Sequence, residues 1–151
     1  MHEDSDFTEF VTFTIAGQIF GLPIARVQDV FKPARITLVP LAGPEIAGVL
    51  NLRGRIVTAI DMRRRLEVKQ QQAGNAAMAI GIEAKGESFG LLVDAVGEVL
   101  KLPEADREAN PINLNRKLAA LSAGVYRLDG QLLVVLDIDR VLDLRAQPAA
   151  A

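Results

Sequence analysis

One stretch of the chain occurs twice, and this repeat limits the possible folds more than any other feature. Residues 48–66 and 124–142 align without a gap over a shift of 76 positions, and seven of the nineteen residues are identical. The identical pairs are Gly48/Gly124, Val49/Val125, Leu52/Leu128, Gly54/Gly130, Asp61/Asp137, Arg64/Arg140 and Leu66/Leu142. A shorter similarity relates residues 20–24 to residues 89–93. Because self-similarity over a long period indicates copies of one unit, the sequence predicts two related subdomains.

Each copy of the repeat reads as two strands with a tight turn between them, followed by a short helix. Gly54 and Gly130 stand at the turns, where glycine permits the backbone angles that a hairpin needs. Asp61 and Asp137 follow the second strand, and their carboxylates can accept from the free amides of a first helical turn. Short, regularly spaced strands with few helices are typical of small β-barrels, so the pattern predicts a mainly β protein.

The repeat and the local composition predict the domain organisation. We expect a first barrel subdomain over residues 9–66 and a second over residues 76–144, whose last helix could pack back on the first. Residues 67–75 read E-V-K-Q-Q-Q-A-G-N, a polar segment typical of a linker. The acidic residues 1–8 and the Pro/Ala-rich residues 145–151 are predicted to be disordered tails.

The composition argues against several classes of function. The chain contains no cysteine and one histidine, His2, which lies in the predicted tail, so thiolate metal sites and histidine-dependent nucleophiles are excluded. No phosphate-binding glycine loop or calcium-loop spacing is present, and we expect neither an enzyme nor a bound metal or cofactor. The net charge of −2 disfavours a nucleic-acid-binding protein. No apolar run approaches the length of a membrane span, and the acidic, polar residues 1–8 lack the apolar segment of a signal peptide. We expect a cytoplasmic protein without direct membrane insertion.

Two groups of arginines are candidates for binding. Residues 63–65 read R-R-R, which is most often a solvated helix face and otherwise a docking patch for an acidic partner. Arg53 stands at the predicted turn between two apolar strands, and Asp29 lies 24 residues earlier. An Asp29–Arg53 ion pair could hold the two segments together, or it could present a guanidinium to a partner. The residues alone leave both readings open.

Several motifs, in order, resemble one family. N-L-R-G at 51–54, a strand and I-D-M-R at 60–63 are similar to the signature of the CheW family of bacterial chemotaxis coupling proteins. R-V-Q-D-V at 26–30 resembles the segment that precedes this signature. F-G-L-L-V-D-A-V-G-E-V at 89–99 and the hairpin at 124–142 also resemble the family, so that the similarity covers nearly the whole chain.

The resemblance implies a fold, a function and a set of site residues. The expected fold is two SH3-like, five-stranded β-barrels with short helices, packed around a shared apolar seam. The expected function is a non-enzymatic adaptor that joins methyl-accepting chemoreceptors to the histidine kinase CheA, whose regulatory domain has a similar fold. The receptor's cytoplasmic hairpin tip would bind in the groove between the two barrels, and the protein would lie near the membrane through receptor arrays. The residues that the resemblance assigns to receptor binding are Val27, Asp29, Gly48, Asn51 and Arg53.

The same resemblance implies that Asp29 and Arg53 form an ion pair, and it assigns no residues to the kinase contact. Two alternatives stay open at this point. The chain could be a CheW-like adaptor of a non-flagellar motility or surface-sensing pathway. It could also be a generic two-barrel module that binds peptides; RNA is disfavoured, because the chain has few aromatic residues and no basic strip.

Overall fold

The computed structural model describes residues 6–33, 35–40, 42–68 and 78–143. Within these ranges the chain forms ten strands and three short α-helices. The strands are β1 (Phe7–Ile15), β2 (Gln18–Pro23), β3 (Val27–Phe31), β4 (Ile46–Leu52), β5 (Arg55–Asp61), β6 (Met78–Ala84), β7 (Glu87–Val93), β8 (Ala95–Pro103), β9 (Ser122–Leu128) and β10 (Gln131–Leu136). The helices are α1 (Met62–Arg65), α2 (Arg116–Leu121) and α3 (Ile138–Val141). The mainly β class predicted from the sequence is confirmed.

The strands form two five-stranded sheets. The first, which we call barrel A, has the order β8-β1-β2-β10-β9, and the second, barrel B, has the order β3-β6-β7-β5-β4. An isolated bridge between Glu108 and Val125 joins the segment after β8 to β9, and a bridge between Thr37 and Val49 does the same for barrel B. Each sheet therefore closes on itself. The two orders become identical when each of β1–β5 is exchanged with its counterpart in β6–β10, as a duplication requires.

The barrels do not follow the predicted division into residues 9–66 and 76–144, and that prediction is wrong. Barrel A takes β1 and β2 from the first half of the chain and β8, β9 and β10 from the second. Two parallel pairings join strands from different halves of the chain. In barrel A β2 pairs with β10, where Phe20 lies beside Val134, and in barrel B β7 pairs with β5. The two copies have therefore exchanged their first hairpins, β1–β2 and β6–β7. Sequence similarity between the copies could not predict this exchange, because it does not show which copy a hairpin pairs with.

The predicted tails and linker lie largely outside the described residues. The tail expected over residues 1–8 is partly wrong, because β1 already begins at Phe7. Residues 1–5, residues 69–75 of the predicted linker and the predicted tail 145–151 are not among the residues that the structure describes. None of the helices in the described part of the chain is long and apolar enough to cross a membrane.

Among the residues that the structure describes, three apolar clusters hold the fold together. One lies inside each barrel, and the largest, which we call the seam, lies between them. The buried residues of the seam are Phe13, Ile15, Phe20, Leu22, Ile60, Met62, Leu66, Ile80, Ile82, Leu91, Val93, Leu121, Val125, Val134, Leu136, Ile138 and Val141. Because both barrels and all three helices contribute to the seam, burial of apolar surface joins the barrels into one body. This confirms the two barrels around a shared apolar seam that the family resemblance implies.

The identical residues of the repeat fix the same backbone features in both copies. Gly48 and Gly124 have positive φ angles of 146° and 132°, which side-chain-bearing residues rarely adopt. The Asp61 carboxylate accepts from the backbone N–H of Arg64 at 3.2 Å, and Asp137 accepts from that of Arg140 at the same distance. The helix caps predicted from the sequence are therefore confirmed.

Candidate partner-binding cleft

A cleft of about 510 Å³ opens in barrel B between β3 and the β4–β5 hairpin, and not between the two barrels, where the family resemblance places the groove. Its floor is apolar and includes Phe31, Val57 and Phe89. Its rim is polar, and the rim residues are Gln28, Asp29, Arg53, Arg55 and Ser88. An apolar floor below a few polar groups is the usual composition of a binding site in a protein.

The tight turn between β4 and β5 places Arg53 on the rim. Leu52 pairs with Arg55, so the loop has two residues, and both Arg53 and Gly54 have positive φ angles, 53° and 84°. This is the type I′ geometry that matches the twist of a hairpin. Asn51 stabilises the turn, because its Oδ1 accepts from the backbone N–H of Gly54 at 2.8 Å. A left-handed conformation costs a residue such as arginine about 1–2 kcal/mol, so the hairpin holds Arg53 in an unfavourable backbone conformation.

Arg53 and Asp29 form an ion pair across the rim. The Arg53 guanidinium donates to Oδ2 of Asp29, which lies on the edge strand β3. The side chain of Arg53 is 73% exposed and that of Asp29 is 30% exposed. An ion pair this exposed adds at most about 1 kcal/mol to stability. The guanidinium stays accessible, and it can donate to a partner in addition to Asp29 because arginine carries five N–H groups.

The structure places the five predicted receptor-binding residues in different environments. Asp29 and Arg53 come together at the cleft. Val27 begins β3 and packs against the seam. Asn51 is exposed, but its side chain holds the turn. Gly48 is buried, and a Cβ atom there would lie 2.3 Å from the carbonyl oxygen of Thr37, so this glycine allows the barrel to close.

Sequence reasoning missed three polar residues of the rim. Nη1 of Arg55 lies 3.3 Å from Oε1 of Gln28 and 3.5 Å from Oγ of Ser88. Gln28 also donates to Glu83 at 2.7 Å. The available signal was the position of Arg55 directly after the turn, two residues from Arg53.

The apolar run from 56 to 60 is not buried along its whole length. Ile56 is 61% exposed beside the turn, whereas Val57, Ala59 and Ile60 are buried. The apolar character of Ile56 hid its position on the outer face. An exposed isoleucine beside Arg53 adds apolar surface that a partner could cover.

The arrangement favours recognition of another macromolecule. Among the described residues no group of three or more His, Cys, Asp or Glu side chains is placed to hold a metal ion. The cleft combines accessible guanidinium groups with apolar surface, and arginine and buried apolar side chains are typical of protein interfaces. Fold and cleft together define a two-barrel module with a cleft whose composition is typical of a protein-binding surface.

Comparisons with known proteins identify the family. The model of the CheW-like domain matches residues 9–146. The chemotaxis protein CheW of Bacillus subtilis is 25% identical over 142 residues, which cover 94% of this chain and 91% of that protein. The crystal structure of the scaffolding protein TtCheW from Thermoanaerobacter tengcongensis superposes with a TM-score of 0.80 at 29% identity, over 90% of this chain and 88% of that one. The chain belongs to the CheW family.

A second kind of relative is longer. The chemotaxis protein CheA of Salmonella typhimurium is 25% identical over 138 residues, which cover 91% of this chain but only 20% of that protein. One part of that CheA protein is therefore similar to almost the whole two-barrel chain.

Proposed function

We propose that the chain couples methyl-accepting chemoreceptors to the histidine kinase CheA. Membership of the CheW family makes it a component of chemotaxis signal transduction, and its solved relative is described as a scaffolding protein. The observation that carries the receptor half of the proposal is the accessible Arg53–Asp29 pair on the rim of an apolar cleft. This function is that of an adaptor. Coupling two partners requires two binding surfaces in a fixed geometry and no catalytic step.

The receptor's cytoplasmic hairpin tip would occupy the cleft. A helical tip can lay apolar side chains on a floor such as that of Phe31, Val57 and Phe89, in the manner of a helix in a groove. A carboxylate or a helix C-terminus on the tip would accept from Arg53. In this proposal Asp29 and Arg53 contact the receptor. Three predicted residues, Val27, Gly48 and Asn51, act by shaping the strand and hairpin that carry the pair.

The kinase would bind elsewhere on the barrels. The similarity to part of a CheA protein supports a kinase domain of related fold as the partner. Each barrel is closed by one isolated bridge, so most of the outer edges of β3, β4, β8 and β9 have no ladder partner among the described residues, and such edges can pair with another chain. The proposed site of action is the cytoplasm, beneath the receptor arrays.

Purified components test the proposal. The chain is mixed with a receptor cytoplasmic fragment or with CheA, and binding is measured for the wild type and for Arg53→Glu. We expect Arg53→Glu to weaken receptor binding by about tenfold or more, which corresponds to about 1.4 kcal/mol, and to leave CheA binding unchanged. Wild-type affinity for the receptor in a folded Arg53→Glu variant would contradict the receptor site.

Arg127→Glu is the matched control. Arg127 lies on β9 of barrel A, is 66% exposed and pairs with Glu108 at 3.0 Å, so it is also an exposed arginine in an ion pair. It should keep the wild-type affinity for the receptor. If the wild-type chain binds neither partner, the adaptor proposal fails and the generic peptide-binding module becomes the better reading.

A further inference from the structure

The arginine run at 63–65 is not the solvated helix face that the sequence favours. Arg64 fits that reading, since its side chain is 53% exposed and pairs with Asp61 in its own helix cap. Arg63 has a side chain only 14% exposed, and Arg65 is buried, with 6% of the residue accessible. Placing cationic side chains in such positions is unfavourable unless hydrogen bonds compensate for the lost water. The partners of these two arginines therefore indicate their role.

Arg63 binds Asp94, the single residue between the last strand of barrel B before the crossing, β7, and the first strand of barrel A after it, β8. Its Nε and Nη2 donate to the two oxygens of Asp94 at 3.0 and 2.6 Å, in a bidentate pair. Asp94 stands between β7 of barrel B and β8 of barrel A. Its Oδ2 also accepts from the backbone N–H of Ala16, in the β1–β2 turn of barrel A, at 2.7 Å. One carboxylate thus links the helix after β5, which belongs to barrel B, to a turn of barrel A.

Arg65 makes a second link across the seam. Its Nε donates to the carbonyl oxygen of Val141 at 2.8 Å, and its Nη2 donates to that of Arg140 at 2.8 Å. Both carbonyls belong to α3, which follows β10 of barrel A, whereas Arg65 ends α1, which follows β5 of barrel B. In the second copy of the repeat the matching residue is Val141, so this link exists in one direction only.

The two links differ in kind from the apolar seam around them. Apolar burial joins the barrels but is non-directional, so side chains can slide over one another at small cost in area. Bidentate and paired hydrogen bonds from planar guanidinium groups fix both distance and angle. The apolar seam holds the barrels together, and the hydrogen bonds of the two arginines fix their relative orientation.

We propose that Arg63, through Asp94, and Arg65, through the end of α3, form a polar lock that sets the angle between the two barrels. These are positioning residues. On the proposed adaptor function, on which this part rests, the lock fixes the receptor cleft of barrel B relative to binding surfaces on barrel A. A change at the receptor can reach the kinase only if the adaptor's affinity or geometry differs between signalling states, and the lock sets the inter-barrel geometry that such a difference would change.

The absence of native cysteine makes the angle measurable. Glu87→Cys on β7 of barrel B and Gln131→Cys on β10 of barrel A introduce one label site per barrel, both at exposed positions. Pulsed electron–electron spin resonance on the doubly labelled chain gives the distribution of distances between barrels. The distribution is compared for the wild-type background, Asp94→Asn, Arg65→Met and the control Arg64→Gln, which removes an arginine of the same run with no link across the seam.

We expect a narrow distribution for wild type and Arg64→Gln, and a broadened or shifted one for Asp94→Asn and Arg65→Met. Asp94→Asn keeps the side-chain volume, so it retains a folded state if Arg65→Met does not. Arg63→Lys, which keeps the charge but loses the bidentate geometry, should also broaden the distribution. An unchanged distribution in folded Asp94→Asn and Arg63→Lys overturns the lock.

The outcome is independent of the proposed function. The distance measurement contains no receptor and no kinase, so it can support the lock even if purified receptor fails to bind. The opposite outcome is also distinguishable. If the wild-type chain binds the receptor but the lock variants have unchanged inter-barrel distances, the proposed adaptor function stands and only the lock is contradicted.

Discussion

The two copies of the repeat have the same local backbone structure but different surface residues. Residues 48–66 and 124–142 both form a hairpin with a positive-φ glycine near its start and an aspartate-capped single-turn helix at its end. Their surroundings differ at positions that the copies do not share. The first copy carries Arg53 at the turn and the exposed Ile56 beside it, whereas the second carries Asp129 at the turn, and its Leu132 packs against the seam.

This comparison separates two kinds of information. Among the residues retained in both copies, the glycines and aspartates dictate the backbone angles and helix caps that the two barrels share. The residues that differ give one hairpin an exposed arginine and an exposed isoleucine, which we propose contact a partner, and give one helix a cross-seam arginine. Four comparisons test this separation through stability, and a fifth measurement tests it through binding.

The largest effect is expected at the paired glycines, and it should be unequal. In Gly48→Ala the Cβ atom would meet the Thr37 carbonyl oxygen at 2.3 Å, in addition to the strain of the positive φ angle. We expect a loss of about 3–5 kcal/mol in the free energy of unfolding. In Gly124→Ala the nearest atom is Cδ of the Arg107 side chain at 2.8 Å, which can move, so the loss should be about 1–3 kcal/mol. Urea titration measures both; equal losses would show that backbone contact does not distinguish the copies.

The next effect concerns the residue that breaks the symmetry of the helices. Arg65→Met keeps the side-chain length but removes both donors to α3. The carbonyls of Val141 and Arg140 lose charged hydrogen bonds, the first of them buried, and we expect a loss of about 2–3 kcal/mol in the free energy of unfolding. The control Arg64→Met removes an exposed arginine and should change it by less than about 0.5 kcal/mol. Similar changes in the two variants would mean that Arg65 does not join the barrels.

Acidification should weaken the Arg63–Asp94 link, which has no counterpart in the second copy. Burial tends to raise the pKa of Asp94, but the hydrogen bonds from Arg63 and from the Ala16 amide, with the charge of Arg63, lower it below its ordinary value. Arg63 in turn faces Asp61 as well as Asp94. Because the folded-state pKa is depressed, this stabilisation is complete above the unfolded-state pKa of about 3.9 and is lost as the pH falls through the folded-state value.

The measurement is the difference in the free energy of unfolding between the wild type and Asp94→Asn as a function of pH. The difference should be constant near neutral pH and should shrink on acidification. A difference that stays constant down to the acid transition would show that Asp94 is not held ionised by Arg63.

The smallest effect should be the same in both copies. Asp61→Ala and Asp137→Ala each remove an N-cap acceptor at 3.2 Å and an ion pair at 3.6 Å with the arginine three residues later. We expect each variant to lose about 1 kcal/mol. Losses that differ by more than the error of chemical denaturation would show that the retained residues do more than fix the backbone.

Local patterns predicted local structure well in this chain. The turn at Arg53 and Gly54, the caps at Asp61 and Asp137 and the contact between Asp29 and Arg53 all follow from residue types at short or motif-defined spacings. The exchange of hairpins between the copies did not follow, because β2 and β7 have similar sequences and each could pair with either copy. The burial of Arg63 and Arg65 was missed because a run of like charges on a short helix carries no information about what packs over it.

We propose that the Arg53 guanidinium contacts the receptor in addition to forming the ion pair with Asp29. A reversed pair tests this most directly: Asp29→Arg and Arg53→Asp are made singly and together, and the affinity for the receptor fragment is measured with the unfolding midpoint. Aspartate tolerates the left-handed backbone at position 53, so the double variant should regain an ion pair and a wild-type midpoint. The account predicts that its receptor affinity stays about tenfold or more below that of the wild type. Recovery of wild-type affinity in the double variant would show that the pair is structural only and would contradict the account.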